Sequence, residues 1–220
     1  GFGAAMSEAA DWSRATEGLG RHYNITRMTV KNHGCCGHCF AAIDGALALQ
    51  AEHGFTAADI AHIAIGGYRA TLEVTGRKSV ATPFEGRFST PFTVATALVH
   101  GNVRIAAFTP ERLADPVVQA LMQRVDVTLD EQCAADFPGR RSARVAITLK
   151  DGRVLSHYQA TRKGDPDAPL SDGELTDKYF ELAGPAVGHS AAAALLARLW
   201  ALDGQADVRF AAVAEARAAE

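Results

Sequence analysis

One stretch of the sequence, residues 31–44, concentrates the side chains that could do chemistry. It places a lysine, two histidines and three of the four cysteines within nine residues. Lys31 supplies a positive charge for a carboxylate, while His33 and His38 can transfer protons near neutral pH. Two glycines loosen the backbone here, and the helix predicted after them favours an anion at its N-terminus. These residues indicate a site for a carboxylate-bearing small molecule.

Other interpretations of the same stretch remain open at this point. Cys36 and Cys39 have the spacing of a zinc ligand pair, but a structural zinc site needs a second pair about 12 to 20 residues away. The next cysteine is Cys133, so we predict no metal. A thiol nucleophile is the second alternative, because Cys35 and Cys36 lie beside a lysine and just before a helix N-terminus. A glycine-rich loop with a solvated lysine and hydrogen-bonded histidines is the third.

Composition excludes several classes of protein. The chain has 220 residues, of which 48% are hydrophobic and 21% charged, as is ordinary for a globular protein. Its formal net charge of −3 argues against a nucleic-acid or membrane-surface partner. No apolar run approaches the roughly 18 to 20 residues of a membrane helix. Adjacent cysteines do not fit a disulfide framework, so we expect a reducing, cytoplasmic compartment.

The elements that must position the stretch follow from hydrophobic periodicity. Helical spacing predicts a helix from His38 to Gly54, and β-branched residues predict a strand over Tyr23–Val30. A Ser171–Glu174 capping box predicts a helix that ends before Gly184-Pro185. The remaining predictions are a helix over 4–20, a strand over 60–74 with a bulge at its glycine pair, a loop over 82–90, helices over 91–99 and 111–125, strands over 125–129, 143–149 and 154–159, and helices over 186–202 and 206–220.

These elements predict an α+β fold. Some strands are joined by hairpins and others through helices, which is typical of a small sheet with helices packed on one face. Asp151-Gly152 supplies the backbone conformation of a tight hairpin turn. The late helices are more apolar than a small sheet can cover, so we expect them to return to an all-helical body that is largely absent from this chain.

Residues 31–44 also resemble a motif of the MmgE/PrpD family. Members of this family show a lysine, an aromatic residue or His two residues on, a Cys, and then Thr-His-Ala-Ala-Ile-Asp. Further motifs follow in the family's order: Phe88-Ser89 with Pro91-Phe92, Asp115-Pro116-Val117, Phe137-Pro138, Asp151-Gly152, and Lys163-Gly164-Asp165-Pro166 with Lys178-Tyr179. Phe40 departs from the family, because many members have His there. The chain therefore lacks the proton-transfer or hydrogen-bonding group of that His, unless His33 or His38 substitutes for it.

The resemblance implies a domain organisation and a set of partners. Members of the family combine an all-helical domain with a smaller α+β domain, and this sequence resembles their C-terminal half. Residues 1–24 would then be a remnant of the helical domain, 25–183 the lid-like α+β domain, and 184–220 the returning helices. The implied partners are a di- or tricarboxylate, the N-terminal helical domain of the same protein and a second copy in a homodimer.

The resemblance also implies an activity. Members act without metal or organic cofactor in the dehydration of 2-methylcitrate, the decarboxylation of cis-aconitate and the epimerisation of iminodisuccinate. Each reaction moves a proton at a carbon beside a carboxylate. Of the three, dehydration is the reaction we expect. The rival hypothesis is a non-catalytic binding or dimerisation module, or a relative that has lost activity. The predicted site residues are Lys31, His33 and His38 for catalysis and Cys36, Arg87 and Ser89 for substrate binding.

Overall fold

The chain forms a four-stranded sheet with helices packed against it, followed by two C-terminal helices, in a computed structural model that describes residues 1–9 and 11–206. The strands are β1 (Ile60–Gly67), β2 (Val125–Leu129), β3 (Ala143–Leu149) and β4 (Val154–Gln159). The α-helices are α1 (Phe2–Met6), α2 (Phe40–His53), α3 (Arg69–Thr75), α4 (Pro83–Arg87), α5 (Thr90–His100), α6 (Pro110–Leu113), α7 (Pro116–Met122), α8 (Glu131–Asp136), α9 (Asp172–Val187) and α10 (His189–Trp200). Short 3₁₀ helices cover Trp12–Arg14, Asn24–Arg27, Ala57–Asp59, Ile105–Phe108 and Leu202–Gly204.

The sheet is mixed, with strand order β2-β1-β3-β4. β1 pairs with β2 in parallel and with β3 in antiparallel orientation, and β3 pairs antiparallel with β4. The predicted β3–β4 hairpin is confirmed, and Gly152 in its turn has φ of +90°. The α+β class is confirmed as well, because local hairpin pairing coexists with a parallel pair joined through helices.

The hydrophobic core lies on one face of this sheet. Ile63 and Ile65 of β1 and Val145 and Ile147 of β3 alternate with more exposed residues and are fully buried. Helices α2 and α5 carry most of the remaining core. Each such side chain contributes about 1.5 to 3 kcal/mol by leaving water, so α2 is held against the sheet through its buried residues Phe40 and Ile43.

Two predictions for the N-terminal region are wrong. Residues 23–30 form no strand, and a 3₁₀ helix occupies Asn24–Arg27 instead. Ile25, Thr26 and Val30 are exposed, so no sheet face stabilises an extended conformation. The predicted helix over 4–20 is reduced to α1 and one 3₁₀ turn, and Gly18 has a positive φ of +75°.

Several boundaries in the middle of the chain also differ from prediction. The strand from Ile60 ends at Gly67, and the segment predicted as its second half is α3. The predicted loop over 82–90 contains α4, which begins with a capping box between Thr82 and Glu85. The helix predicted over 111–125 has Asp115-Pro116 as its start signal, and this signal is confirmed because Asp115 caps α7 at Pro116. The preceding residues form a separate short helix, α6. Helix α8 was not predicted.

The chain divides into two compact units, residues 1–168 and 169–220. In the second, the Ser171–Glu174 capping box begins α9 as predicted. The predicted break at Gly184-Pro185 is wrong, because Pro185 lies in the last turn of α9, where the loss of one N–H costs little continuity. The Tyr179 hydroxyl donates to the Ala192 carbonyl across the helix pair at 2.9 Å.

Some predictions are not tested by this structure. Most of the helix predicted over 206–220 lies outside the described residues. The predicted domain limits at residues 24 and 183 refer to a longer protein and stay predictions. Within residues 1–9 and 11–206, every helix is too short or too polar to traverse a lipid bilayer.

Candidate functional site

The loop before α2, residues 31–39, is anchored by backbone hydrogen bonds to two distant segments. The N–H of Gly34 donates to the Val103 carbonyl, and the N–H of Cys36 donates to the Arg87 carbonyl, both at 2.8 Å. The predicted helix then follows as α2 and ends at Gly54, whose φ is +67°. The loop is therefore held at defined points although it has no regular structure of its own.

His33 occupies the buried end of this loop. Its ring is 5% exposed, and its Nε2 lies 2.8 Å from Oδ1 of Asp44. The other carboxylate oxygen of Asp44 accepts the backbone N–H of Lys163 at 2.8 Å. The ring of His33 also meets Phe40 edge-on, with 5.1 Å between centroids. Asp44 thus joins the loop, α2 and a segment more than a hundred residues away, a role that the sequence did not indicate.

His38 occupies the more open end of the loop and has a different partner. Its ring is half-buried, and Nδ1 lies 2.6 Å from the hydroxyl of Tyr68. The ring of Tyr68 is 2% exposed and stacks on Phe137 at 4.5 Å between centroids. Sequence reasoning missed Tyr68, because it placed this residue within a longer strand rather than at the end of β1.

Burial and charge keep this histidine–tyrosine pair uncharged. Burial lowers the pKa of His38, and the nearby Arg141 and Arg162 guanidinium groups lower it further. Burial also raises the pKa of Tyr68 to about 12. At neutral pH the imidazole is therefore neutral and the phenol keeps its proton.

Cys35 and Cys36, the two candidate nucleophiles, do not have the environment of activated thiols. Burial raises the pKa of Cys35 well above its usual range, and the neighbouring thiol of Cys39 adds to the effect. Burial raises the pKa of Cys36 as well, although Lys31 and Arg141 partly oppose it. A nucleophilic thiol needs the opposite shift. Cys39 differs: burial alone would raise its pKa, but hydrogen bonds with Cys35 and Thr90 lower it, and its thiol is fully buried. All four cysteines are unpaired, and among the described residues no three His, Cys, Asp or Glu side chains cluster as a metal site would require.

The other predicted residues surround the loop in different ways. Lys31 is exposed, and its Nζ lies 3.4 Å from the Cys35 carbonyl. Arg87 is exposed at the end of α4, with its guanidinium 5.1 Å from the centre of the Phe108 ring. Lys31 and the backbone of His38 both act on the Cys36 thiol, and the backbone N–H of Cys36 donates to the Arg87 carbonyl.

Ser89 is placed as a helix cap. It is fully buried, and its Oγ donates to the Arg77 carbonyl at 2.6 Å while accepting the N–H of Phe92 at 3.1 Å. These bonds begin α5 in the usual way for an N-terminal serine. The roles predicted for Ser89 and Arg87 in substrate binding stay predictions.

A cavity of about 420 Å³ adjoins the loop near Gly37 and is lined by four arginines. We call it the arginine cavity; its lining residues are Arg27, Thr29, Pro138, Gly139, Arg140, Arg141, Ala160, Thr161, Arg162, Asp165, Pro166 and Asp167. Two of its arginines lie close to the loop at Gly37. A Cβ atom at Gly37 would be 3.0 Å from Nη1 of Arg162 and 3.7 Å from Nη1 of Arg141. Pro138, Asp165 and Pro166 of its lining belong to motifs noted in the sequence, but those motifs did not predict a cavity.

Two arginines of the cavity have contrasting surroundings. Arg162 is buried and bonds to Asp165 at 2.6 and 2.9 Å and to the Thr29 hydroxyl at 3.0 Å. Burial alone would raise the pKa of Asp165, but the bonds from Arg162 and Thr29 hold it below its usual value. Arg141 is exposed and has no carboxylate partner among the described residues. Its charge is therefore available to an anionic ligand beside His38.

Comparison with known protein families identifies the family of this chain. The C-terminal domain of the MmgE/PrpD family matches residues 33–202. The chain belongs to the MmgE/PrpD family. The match begins at His33 and ends at Leu202, so Lys31 lies two residues before it.

Three curated relatives of this MmgE/PrpD chain are informative. It is 27% identical to a cis-aconitate decarboxylase-like protein, oryM, of Aspergillus oryzae, over 76% of this chain and 36% of that protein. It is 28% identical to a mitochondrial 2-methylcitrate dehydratase of Yarrowia lipolytica, over 59% of this chain and 28% of the relative. It is 33% identical to a 2-methylcitrate dehydratase of Cupriavidus necator, over 51% and 24% respectively. The aligned part thus spans about a quarter to a third of these relatives.

Proposed function

We propose that this chain is the C-terminal part of a lyase or isomerase that acts, without a cofactor, on a di- or tricarboxylate. Dehydration is the reaction we favour, with decarboxylation and epimerisation as the other possibilities within the family. The observation that carries the proposal is His38, bonded to Tyr68 and beside Arg141 and Arg162 of the arginine cavity, on the same loop as Lys31. The match to the MmgE/PrpD C-terminal domain over residues 33–202 supports it.

The chemistry explains why cations and a neutral imidazole belong together. Removing a proton from the carbon beside a carboxylate pushes negative charge onto the carboxylate oxygens, and nearby cations lower the energy of that state. On this proposal Lys31 and Arg141 bind carboxylates, and His38 serves proton transfer or orientation. Cys36, as a protonated thiol, lines the site.

His33 contributes to the proposed site through the fold. Its Nε2 is occupied by Asp44 in a buried contact, so we assign it the task of holding the loop rather than of moving a proton. The upstream part of the longer relatives would supply the facing wall. A homodimer, a contribution from an N-terminal helical domain and a cytoplasmic location belong to the same proposal.

Substitution of Lys31 tests this function. In the longest natural polypeptide that contains this chain, Lys31→Ala should reduce kcat/KM for 2-methylcitrate or cis-aconitate by at least about 100-fold, the size typical of losing one charge-stabilising group. Lys150→Ala, at an exposed turn lysine, is the matched control and should leave turnover unchanged. Full activity of the Lys31 variant would overturn the proposal.

The rival function is a non-catalytic binding module, and Phe40 favours it. Phe40 is fully buried where many relatives have His, so this position offers no polar group to a ligand. A wild-type polypeptide that binds citrate by calorimetry but turns over none of the family's three substrate types would support the module. Turnover of any of them would exclude it.

A further inference from the structure

We propose that Tyr68 is a positioning residue that donates its hydroxyl proton to Nδ1 of His38 and thereby keeps the ring proton of His38 on Nε2. His38 then presents a neutral N–H donor to a ligand. The catalytic meaning of this inference rests on the proposed function, but the geometry does not. The sequence alone does not predict the contact, because 29 residues lie between His38 and Tyr68.

The contact is held from both sides. The Tyr68 hydroxyl lies 2.6 Å from Nδ1, and the two rings meet nearly edge-on, at 71° and 5.4 Å between centroids. Tyr68 is the residue directly after β1. Its ring is almost fully buried and stacks on Phe137 with only 15° between the ring planes. Because β1 and this stacking fix the phenol, the phenol in turn fixes the rotation of the imidazole.

The direction of donation follows from the two groups themselves. An imidazole nitrogen is a stronger acceptor than a phenol oxygen, and the phenol retains its proton at neutral pH. If Nδ1 carried the proton instead, the buried hydroxyl would need another acceptor. The Thr71 side chain also interacts with the phenol and lowers its pKa, which is the effect of a hydroxyl that donates to the phenol oxygen. With that donor on the oxygen, the phenol proton is directed to Nδ1 of His38, 2.6 Å away.

The surrounding charges favour the same state. The groups that act on the ring of His38 are the cations of Arg141 and Arg162 and the phenol of Tyr68, while the Cys36 thiol meets the backbone of His38. Both cations oppose a second proton on the ring. Within the described part of the chain, Nε2 of His38 has no hydrogen-bond acceptor, which leaves its N–H to a ligand.

The assignment narrows the role of His38. A neutral imidazole with its proton on Nε2 is a hydrogen-bond donor, so it can polarise a carboxylate oxygen where negative charge develops. It cannot at the same time be the base that takes a proton from carbon through Nε2. The bond from Tyr68 strengthens the donor, because hydrogen bonds in a chain polarise one another. A base must then come from elsewhere in the longer polypeptide.

Nitrogen NMR of the histidine rings tests the inference without any substrate. In ¹⁵N-labelled wild-type protein near neutral pH, the signals lost in His38→Gln identify this residue. We expect a pyridine-type Nδ1, shifted upfield by an accepted hydrogen bond, and a pyrrole-type Nε2. A protonated Nδ1 in the wild-type protein would overturn the proposal, and this measurement needs no folded variant at position 68.

The variant Tyr68→Phe then tests the positioning. Its Nδ1 signal should move downfield, towards an unbonded nitrogen, whereas Tyr158→Phe, which loses a hydroxyl bonded to Asp136, should leave His38 unchanged. Unchanged His38 signals in Tyr68→Phe would contradict the inference. In an active longer polypeptide we expect about a tenfold lower kcat for Tyr68→Phe with a smaller change in KM. If no turnover exists at all, the proposed function fails while the NMR result stands.

Discussion

The two histidines of the loop before α2, five residues apart, have become two different kinds of residue. His33 is buried, bonded to a carboxylate that also binds the backbone of Lys163. His38 is half-buried, bonded to a phenol and flanked by cations. The difference shows that residue type alone does not mark a functional histidine. The burial of the ring and the identity of its partner do, and here they divide one loop into a held end and an open end.

The largest effect on stability is expected at the held end. Asp44→Asn replaces the carboxylate that bonds both His33 and the Lys163 N–H, and its amide cannot accept from both donors. We expect the free energy of unfolding to fall by about 3 kcal/mol, as for other buried pairs that lose one partner. Urea denaturation measures it.

An exposed ion pair provides the control for Asp44→Asn. Glu73→Gln removes the partner of Arg69 on the surface of α3, and we expect a change of at most about 0.5 kcal/mol. If Asp44→Asn and Glu73→Gln lower the free energy of unfolding by the same small amount, the contact between His33 and Asp44 does not stabilise the fold. The distinction between the two ends of the loop would then collapse.

A smaller loss is expected at Ser89, which sequence reasoning placed with the substrate and the structure places as a cap. Ser89→Ala should lower the free energy of unfolding by about 1 to 2 kcal/mol, because the N–H of Phe92 loses its acceptor. The exposed Ser156→Ala is the control. If the Ser89→Ala variant has normal stability but binds substrate more weakly, Ser89 belongs to the substrate-binding residues instead.

The smallest effect on stability is expected at His38 itself. Near pH 7, His38→Gln should lower the free energy of unfolding by about 1 kcal/mol, because the buried Tyr68 hydroxyl loses its nitrogen acceptor. Because the folded pKa of His38 lies below its ordinary 6.5, the unfolded chain binds the proton first as the pH falls. The wild-type protein should therefore lose stability below about pH 6.5.

Denaturation at about pH 7 and about pH 5 isolates this contribution. His38→Gln should lose less stability than wild type over that interval, because the substituted residue cannot bind the proton. The other histidines are common to both proteins and cancel in the difference. An equal loss in the two proteins would show that the open end does not penalise a charged imidazole.

Periodicity in the sequence predicted the sheet and the main core helices, because these elements bury regularly spaced apolar side chains. Ile63 and Ile65 on β1, and the stripe that begins at Phe40 on α2, show this directly. Periodicity misled where tertiary contacts decide the structure. Residues 69–75 have an apolar pattern compatible with a strand, yet α3 forms because the sheet ends at Gly67.

The candidate site was predicted only as far as it is local in sequence. The loop of residues 31–39 could be found because its reactive side chains are neighbours along the chain. Tyr68, Arg141 and Arg162 reach it from three other segments, and each alone has an ordinary sequence context. Their convergence depends on β1 and on the loops beside β3 and β4, which no spacing rule specifies.

The close approach at Gly164 has a consequence for protein engineering and proteolysis. Its carbonyl accepts the N–H of Val30, its φ is +97°, and a Cβ there would lie 2.0 Å from the Val30 carbonyl oxygen. Its neighbours Arg162 and Lys163 grip Gly37 and Asp44. Residues 160–168 therefore hold the loop before α2 from a distant part of the sequence. An insertion or a protease cut there should first disturb the contacts to Gly37 and Asp44, which adjoin His38 and His33 respectively.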